Sequence, residues 1–205
     1  MKQVTPETAE RHKAKMERRK QVQDAEVAQK TIEKGLLIVN TGPGKGKSTA
    51  AFGLALRMLG HGRRVGVVQF IKGAARHTGE KTALEAFGDR VEWHTMGEGF
   101  TWDTQDLARD IEMAGRAWEK AEALMADPSF GLVILDELNI ALRYDYLDAE
   151  AVVAALKARR ADLHVAITGR NARPALVEAA DLVTEMGAVK HHFAAGVKAQ
   201  AGIEF

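Results

Sequence analysis

The 205-residue sequence contains no cysteine. That absence excludes disulfides, thiolate metal sites and a cysteine nucleophile, and it suits a reducing compartment. Neither sign of charge prevails: 29 Lys and Arg against 28 Asp and Glu leave a net charge of +1. Such a balance provides no bulk field to draw nucleic acid or a membrane surface. No unbroken apolar run is long enough for a signal h-region or a membrane span, so the expected location is the cytoplasm. Internal repeats and low-complexity segments are also lacking.

What is present describes a globular chain. Hydrophobic residues make up 46% and charged residues 28%, and the length fits one domain of ordinary size with a full hydrophobic core. Residues 1–34 stand apart, with nine Lys and Arg, six Asp and Glu, and few large apolar side chains. Too little apolar surface is available there to offset the entropy of ordering, so the segment reads as a charged helical arm, either a solvated tail or a lid.

From Gly35 to the end, residues 35–205, short apolar runs alternate with helical periodicity. GLLIVN (35–40), RVGVVQF (64–70), VEWHT (91–95), LVILD (132–136), LHVAIT (163–168) and DLVTEM (181–186) read as strands. Most are too continuously apolar to face water on either side. Between them STAAFGLALRMLG, the stretch 104–125, AEAVVAALKARR and RPALVEAA fit amphipathic helices, with Asp148 as an N-cap and Pro174 in a first turn. Alternating strands and helices imply βαβ units and a mostly parallel sheet covered on both faces.

The stretch NTGPGKGKSTAAFG (40–53) lies between the first strand and the first helix of that pattern. Gly46, Lys47 and Ser48 complete GxxxxGK[ST], with Thr41 in the place of its first glycine and Gly42 beside it. Backbone amides from Gly42 to Ser48, among them Gly44, Lys45 and Gly46, are positioned to converge on phosphate oxygens at a helix N-terminus. Lys47 supplies a cation for the outer phosphates, the Ser48 hydroxyl a ligand for magnesium, and Lys45 and Thr49 further donors. At the carboxyl end of the LVILD strand, Asp136 is the natural magnesium partner of Ser48, with Glu137 next to it. These features make the fold P-loop nucleoside triphosphatase-like, of the RecA-like kind. They leave three activities open: a water-attacking ATPase, a small-molecule kinase, and a transferase that attacks another part of ATP.

The region that separates these activities is specific. QFIKG (69–73), GEGFTWDTQD (97–106), LVILDELNIALRYDYL (132–147), ITGR (167–170) and VKHHFAAGVKAQAGIEF (189–205), taken in order, resemble the ATP:corrinoid adenosyltransferases of cobalamin biosynthesis and salvage. The resemblance implies transfer of the 5′-deoxyadenosyl group of ATP to the cobalt(I) of a reduced corrinoid, with release of triphosphate. Magnesium or manganese is the implied metal, held by Ser48, Asp136 and Glu137, and Lys47 and Glu137 are implied in catalysis. Thr41, Gly42, Gly44, Lys45, Gly46, Lys47, Ser48 and Thr49 fall on the triphosphate-binding positions, and Arg57 and Arg170 on further nucleotide contacts. Phe100 and Trp102 match an aromatic pair that excludes the lower axial base from the corrinoid, leaving a four-coordinate metal that is easier to reduce.

A ligand from His94, His191 or His192 would oppose that state, so these read as structural residues. The resemblance further implies a lid role for the leader, a homodimer and a flavodoxin-like reductase as electron donor. A corrinoid chaperone without catalysis is the rival from another class, and the intact Lys47 and Ser48 argue against it. Two positions depart from the family pattern: Pro43 stands where asparagine is usual, removing an amide, and Ser48 replaces the common threonine.

Overall fold

The computed structural model describes residues 5–73, 78–97 and 106–204. The chain falls into two compact units, Met1–Lys34 and Gly35–Phe205. In the first, helix α1 (Pro6–Ala28) begins at Thr5, whose hydroxyl accepts the Thr8 amide at 3.3 Å, with proline at the first helical position. None of its residues is buried. Within this unit the helix therefore rests on capping and local propensity rather than on packing.

The second unit is built on β1 (Leu37–Thr41), β2 (Arg64–Gly73), β3 (Val91–Gly97), β4 (Phe130–Asp136), β5 (His164–Thr168) and β6 (Leu182–Glu185). They pair in the order β3-β2-β4-β5-β1-β6, and every pairing is parallel. The connecting helices are α2 (Lys47–Gly60), α3 (Gly79–Glu85), α4 (Leu107–Ala126), α5 (Leu138–Arg143), α6 (Ala149–Ala158) and α7 (Pro174–Ala179). Asp148 caps α6 by accepting the Glu150 amide at 2.9 Å, and Pro174 opens α7, both as the sequence predicts. Helices α3 and α5 were not anticipated. At seven and six residues they are too short to display a helical period.

Side-chain alternation divides the buried apolar residues of the strands between two cores. Ile38, Val65, Val67, Ile134 and Ala166 join Ala51, Phe52, Ala55 and Leu59 of α2 on one face. Leu37, Val39, Val68, Leu135 and Ile167 join Ala114, Ala117, Ala121 and Leu124 of α4 on the other, together with Val152 and Leu156 of α6. Helices thus cover both faces of the sheet, as the continuous apolar runs imply. Strand β6 differs from that expectation: it is exposed throughout, at the edge of the sheet beside β1.

On the α2 face, the residue two places beyond the last apolar one is polar in five neighbouring strands. Asn40 follows Ile38, Gln69 follows Val67, Thr95 follows Trp93, Asp136 follows Ile134, and Thr168 follows Ala166. Strand register aligns Thr95 with Gln69, Gln69 with Asp136, and Asn40 with Thr168. These residues form a polar row along the carboxyl ends of the strands, where α2 begins.

Candidate active site

The loop between β1 and α2 wraps the start of the helix. Gly46 caps α2 with φ 103°, a left-handed conformation that favours glycine. Gly44 is required for a different reason: its amide donates to the Met186 carbonyl at 2.6 Å, and the backbone of 186–187 leaves no room for a Cβ. This corrects the expectation that all amides from Gly42 to Ser48 face phosphate. Pro43 has no amide and that of Gly44 is committed to Met186, so neither is available to a ligand.

Lys47 lies nearly buried across this loop, its ammonium donating to the carbonyl of Gly42 at 2.9 Å and to that of Gly44. Burial pushes its pKa below the ordinary lysine value, and the like charges of Arg170 and Lys45 add to the effect while Glu137 opposes it. Anionic oxygens would relieve that repulsion. Lys45 instead forms an exposed ion pair with Glu204 at 2.5 Å.

Ser48 donates its hydroxyl to Asp136 Oδ1 at 2.7 Å. Asp136 is fully buried, and its carboxylate also accepts Thr168 Oγ1 at 2.7 Å and Gln69 Nε2 at 2.9 Å. The next residue turns the other way. Glu137 adopts φ 64°, one of three non-glycine residues at positive φ among the described residues, and its amide donates to Thr168 Oγ1 at 3.0 Å. That strained turn sends one carboxylate inward to Ser48 and the other into the open cleft.

The cleft encloses about 520 Å³. Lys45, Gly46, Lys47, Ser48 and Thr49 line its floor, with Glu137 and Arg170 on its walls. Four predicted residues lie elsewhere or outside the described residues. Thr41 is buried behind the loop, its hydroxyl accepting the Ala172 amide at 3.1 Å. Arg57 is exposed and does not line the cleft, since α2 carries it about 15 Å along its axis from Lys47. Phe100 and Trp102 fall outside the described residues.

The sequence reading did not single out other lining residues: Phe52, Arg143, Tyr144, Ile203 and Glu204. All five fall within the stretches 40–53, 132–147 and 189–205 quoted above, yet only tertiary packing shows that they meet at the loop. His94 pairs with Glu92 at 2.8 Å, and His191 Nδ1 accepts the Phe193 amide at 3.1 Å, so both engage local partners. His192 stands 3.3 Å from Glu204. Among the described residues no helix is long and apolar enough to cross a membrane.

Comparison with known proteins bears on this arrangement directly. The family model described as ATP:corrinoid adenosyltransferase BtuR/CobO/CobP matches residues 33–205, and that described as cob(I)alamin adenosyltransferase N terminal matches residues 1–27. A corrinoid adenosyltransferase of Pseudomonas aeruginosa is 56% identical over 98% of this chain and 98% of the relative. A second, from Escherichia coli K12, is 49% identical over 96% of this chain and 98% of the relative. Among solved structures, the flagellar accessory protein FlaH of Methanocaldococcus jannaschii matches with a TM-score of 0.48 and 12% identity, over 77% of this chain and 73% of that one. That last likeness is too slight to support an argument. The near-complete family match and relatives about half identical from end to end place this chain in the ATP:corrinoid adenosyltransferase family.

Proposed function

We propose that this protein transfers the 5′-deoxyadenosyl group of ATP to the cobalt(I) of a reduced corrinoid. The electron pair of cobalt(I) attacks the ribose C5′, the C5′–O bond breaks, triphosphate leaves with the electrons of that bond, and the metal becomes an alkylcobalt(III). The observation that carries the reading is the cleft: in a chain of this family, a phosphate loop with Lys47 and the Ser48–Asp136 pair opens into space for a nucleotide.

The amides of Lys45 to Ser48 and the α2 N-terminus hold the triphosphate, and Thr49 adds a hydroxyl. Lys47 leaves the Gly42 and Gly44 carbonyls for phosphate oxygens, and Arg170 offers a second cation from the opposite wall. Stabilising the charge of the leaving group is the main catalytic task left to the protein, because the nucleophile belongs to the substrate. A magnesium or manganese ion fits the hard oxygen donors of Ser48 and Glu137. Asp136, already accepting three hydrogen bonds, acts through Ser48. When bound, the ion would neutralise charge on the departing triphosphate.

Phe100 and Trp102 serve as the apolar wedge under the corrin, and the leader as a lid over it. The fully exposed α1 and the family match over residues 1–27 support the lid. A flavodoxin-like reductase supplies the electron that makes cobalt(I), in keeping with a sequence that has no cysteine for an iron–sulfur centre or a redox disulfide. The enzyme works as a homodimer in the cytoplasm, a setting that suits the absence of cysteine.

The test is an anaerobic spectrum with ATP, magnesium and chemically reduced cobalamin, together with identification of the phosphate product. Loss of the cobalt(I) band with formation of a light-sensitive adenosylcorrinoid and intact triphosphate is expected. Orthophosphate released without consumption of corrinoid would refute the proposal. Phe100→Ala with Trp102→Ala is expected to abolish activity that starts from cobalt(II) and spare activity that starts from cobalt(I).

A further inference from the structure

The polar row on the α2 face contains more than the Ser48–Asp136 pair requires. Gln69 is buried between β3 and β4 and lies in register with Thr95 on one side and Asp136 on the other. Its Oε1 accepts the Trp93 indole N–H at 3.1 Å and the Thr95 hydroxyl at 3.2 Å, while its Nε2 donates to Asp136 Oδ2 at 2.9 Å.

Proton direction decides what this arrangement does. An indole nitrogen can only donate, so Trp93 dictates that the Gln69 oxygen faces β3 and its NH₂ faces Asp136. A reversed amide would set oxygen against a carboxylate oxygen and leave the indole N–H only its second acceptor, the Thr95 hydroxyl at 3.2 Å. On the other side, Thr168 accepts the Glu137 amide and is thereby free to donate its own hydroxyl to Asp136 Oδ1. Asn40 farther along the row donates to the Lys47 carbonyl at 3.3 Å, while Gln69 and Thr168 both donate to Asp136. The Ser48 proton is drawn there too, which leaves the Ser48 oxygen to act toward the loop as an acceptor.

We propose that Gln69, oriented by Trp93 and Thr95, is a positioning residue that holds the Asp136 carboxylate so that the Ser48 oxygen presents its lone pairs to the cation of the metal–triphosphate complex. The inference rests on the cation reading given above. Gln69 touches neither nucleotide nor metal and acts through Asp136 and Ser48. Trp93 also packs against Phe52, a lining residue of the cleft, with ring centroids 5.2 Å apart. The Trp93→Phe, Thr95→Val double variant removes both donors to Gln69 Oε1 and keeps an aromatic ring against Phe52 and a β-branched side chain on β3. It therefore avoids the buried hole that Gln69→Ala would leave.

The experiment measures ATP affinity by calorimetry, in magnesium and again in EDTA, for the wild type and the double variant. Magnesium is expected to tighten binding to the wild type, and the double variant should lose about tenfold of that gain while binding equally well in EDTA. A full magnesium gain in the double variant overturns the inference. Equal weakening with and without magnesium also overturns it, because packing damage would then account for the loss. Absence of any magnesium gain in the wild type overturns the cation reading itself, and this inference with it.

Discussion

Replacing Gly44 by alanine tests how the phosphate loop is seated. A Cβ at this position would stand 2.5 Å from the Gly187 carbonyl oxygen and 2.7 Å from that of Met186, both backbone atoms beyond β6. Neither can rotate away as a side chain would, so relief requires the loop to move by about 1 Å, a misplacement on the order of 100-fold in rate at an active site. The same movement breaks the Gly44 amide bond to Met186. Its loss and the desolvated carbonyl cost about 1–3 kcal/mol of stability. The assay is kcat/KM for ATP with chemically reduced cobalamin, alongside urea unfolding. Gly53→Ala is the control: it lies exposed within α2, nothing would meet its Cβ within 4 Å, and stability should rise by about 1 kcal/mol with activity unchanged. If Gly44→Ala keeps wild-type kcat/KM, contact with residues 186–187 does not shape the loop and the reasoning fails.

Arg57→Ala should leave kcat/KM unchanged, whereas Arg170→Ala should lower it about 10- to 100-fold, the worth of a hydrogen bond to a charged group; steady-state kinetics on the pair decides whether cleft position or family resemblance is the better guide. Asp136→Asn presents an amide to buried donors of Ser48, Thr168 and Gln69 and should cost about 1–3 kcal/mol in urea unfolding, together with the magnesium gain in ATP affinity. Burial, then Arg159 and Arg63, hold His164 below the ordinary histidine value of 6.5, with Asp162 opposing, and its Nδ1 accepts the Leu36 amide at 3.2 Å. The folded state therefore favours neutral His164. As the pH falls below 6.5 the unfolded chain takes up the proton first, so stability declines until the depressed folded value is reached, by at most about 1.4 kcal/mol per pH unit. Urea midpoints between about pH 5 and 8 should show a steeper decline for the wild type than for His164→Gln, and equal slopes would refute the assignment.

Much of the architecture follows from patterns that act over a few residues. All six strands appear within about three residues of their apolar runs; in β1 and β4 burial on both faces leaves no exposed polar position to blur the ends. The phosphate loop was equally readable, because its glycines, Lys47 and Ser48 are contiguous and their backbone geometry is local. Even the polar row has a sequence signature, a polar residue two places beyond the last apolar residue of the α2 face. Its significance emerged only when register aligned Gln69 with Thr95 and Asp136.

Arg57 marks the opposite case. Its place in the family pattern says nothing of the helix rotation and rise that carry it away from the loop. Met186 and Gly187 lie more than 140 residues from Gly44 in sequence, yet the Met186 carbonyl takes the Gly44 amide and both residues set how closely the backbone approaches. Glu204 likewise reaches Lys45 from near the other end of the chain. Local chemistry determined the strands, the longer helices and the phosphate loop, because periodicity, capping and glycine content operate within one turn or one strand. Strand order and register decided which amides remain for phosphate, which carboxylate is buried and which side chains close the cleft, because those outcomes depend on backbone contacts between segments that sequence spacing does not bring together.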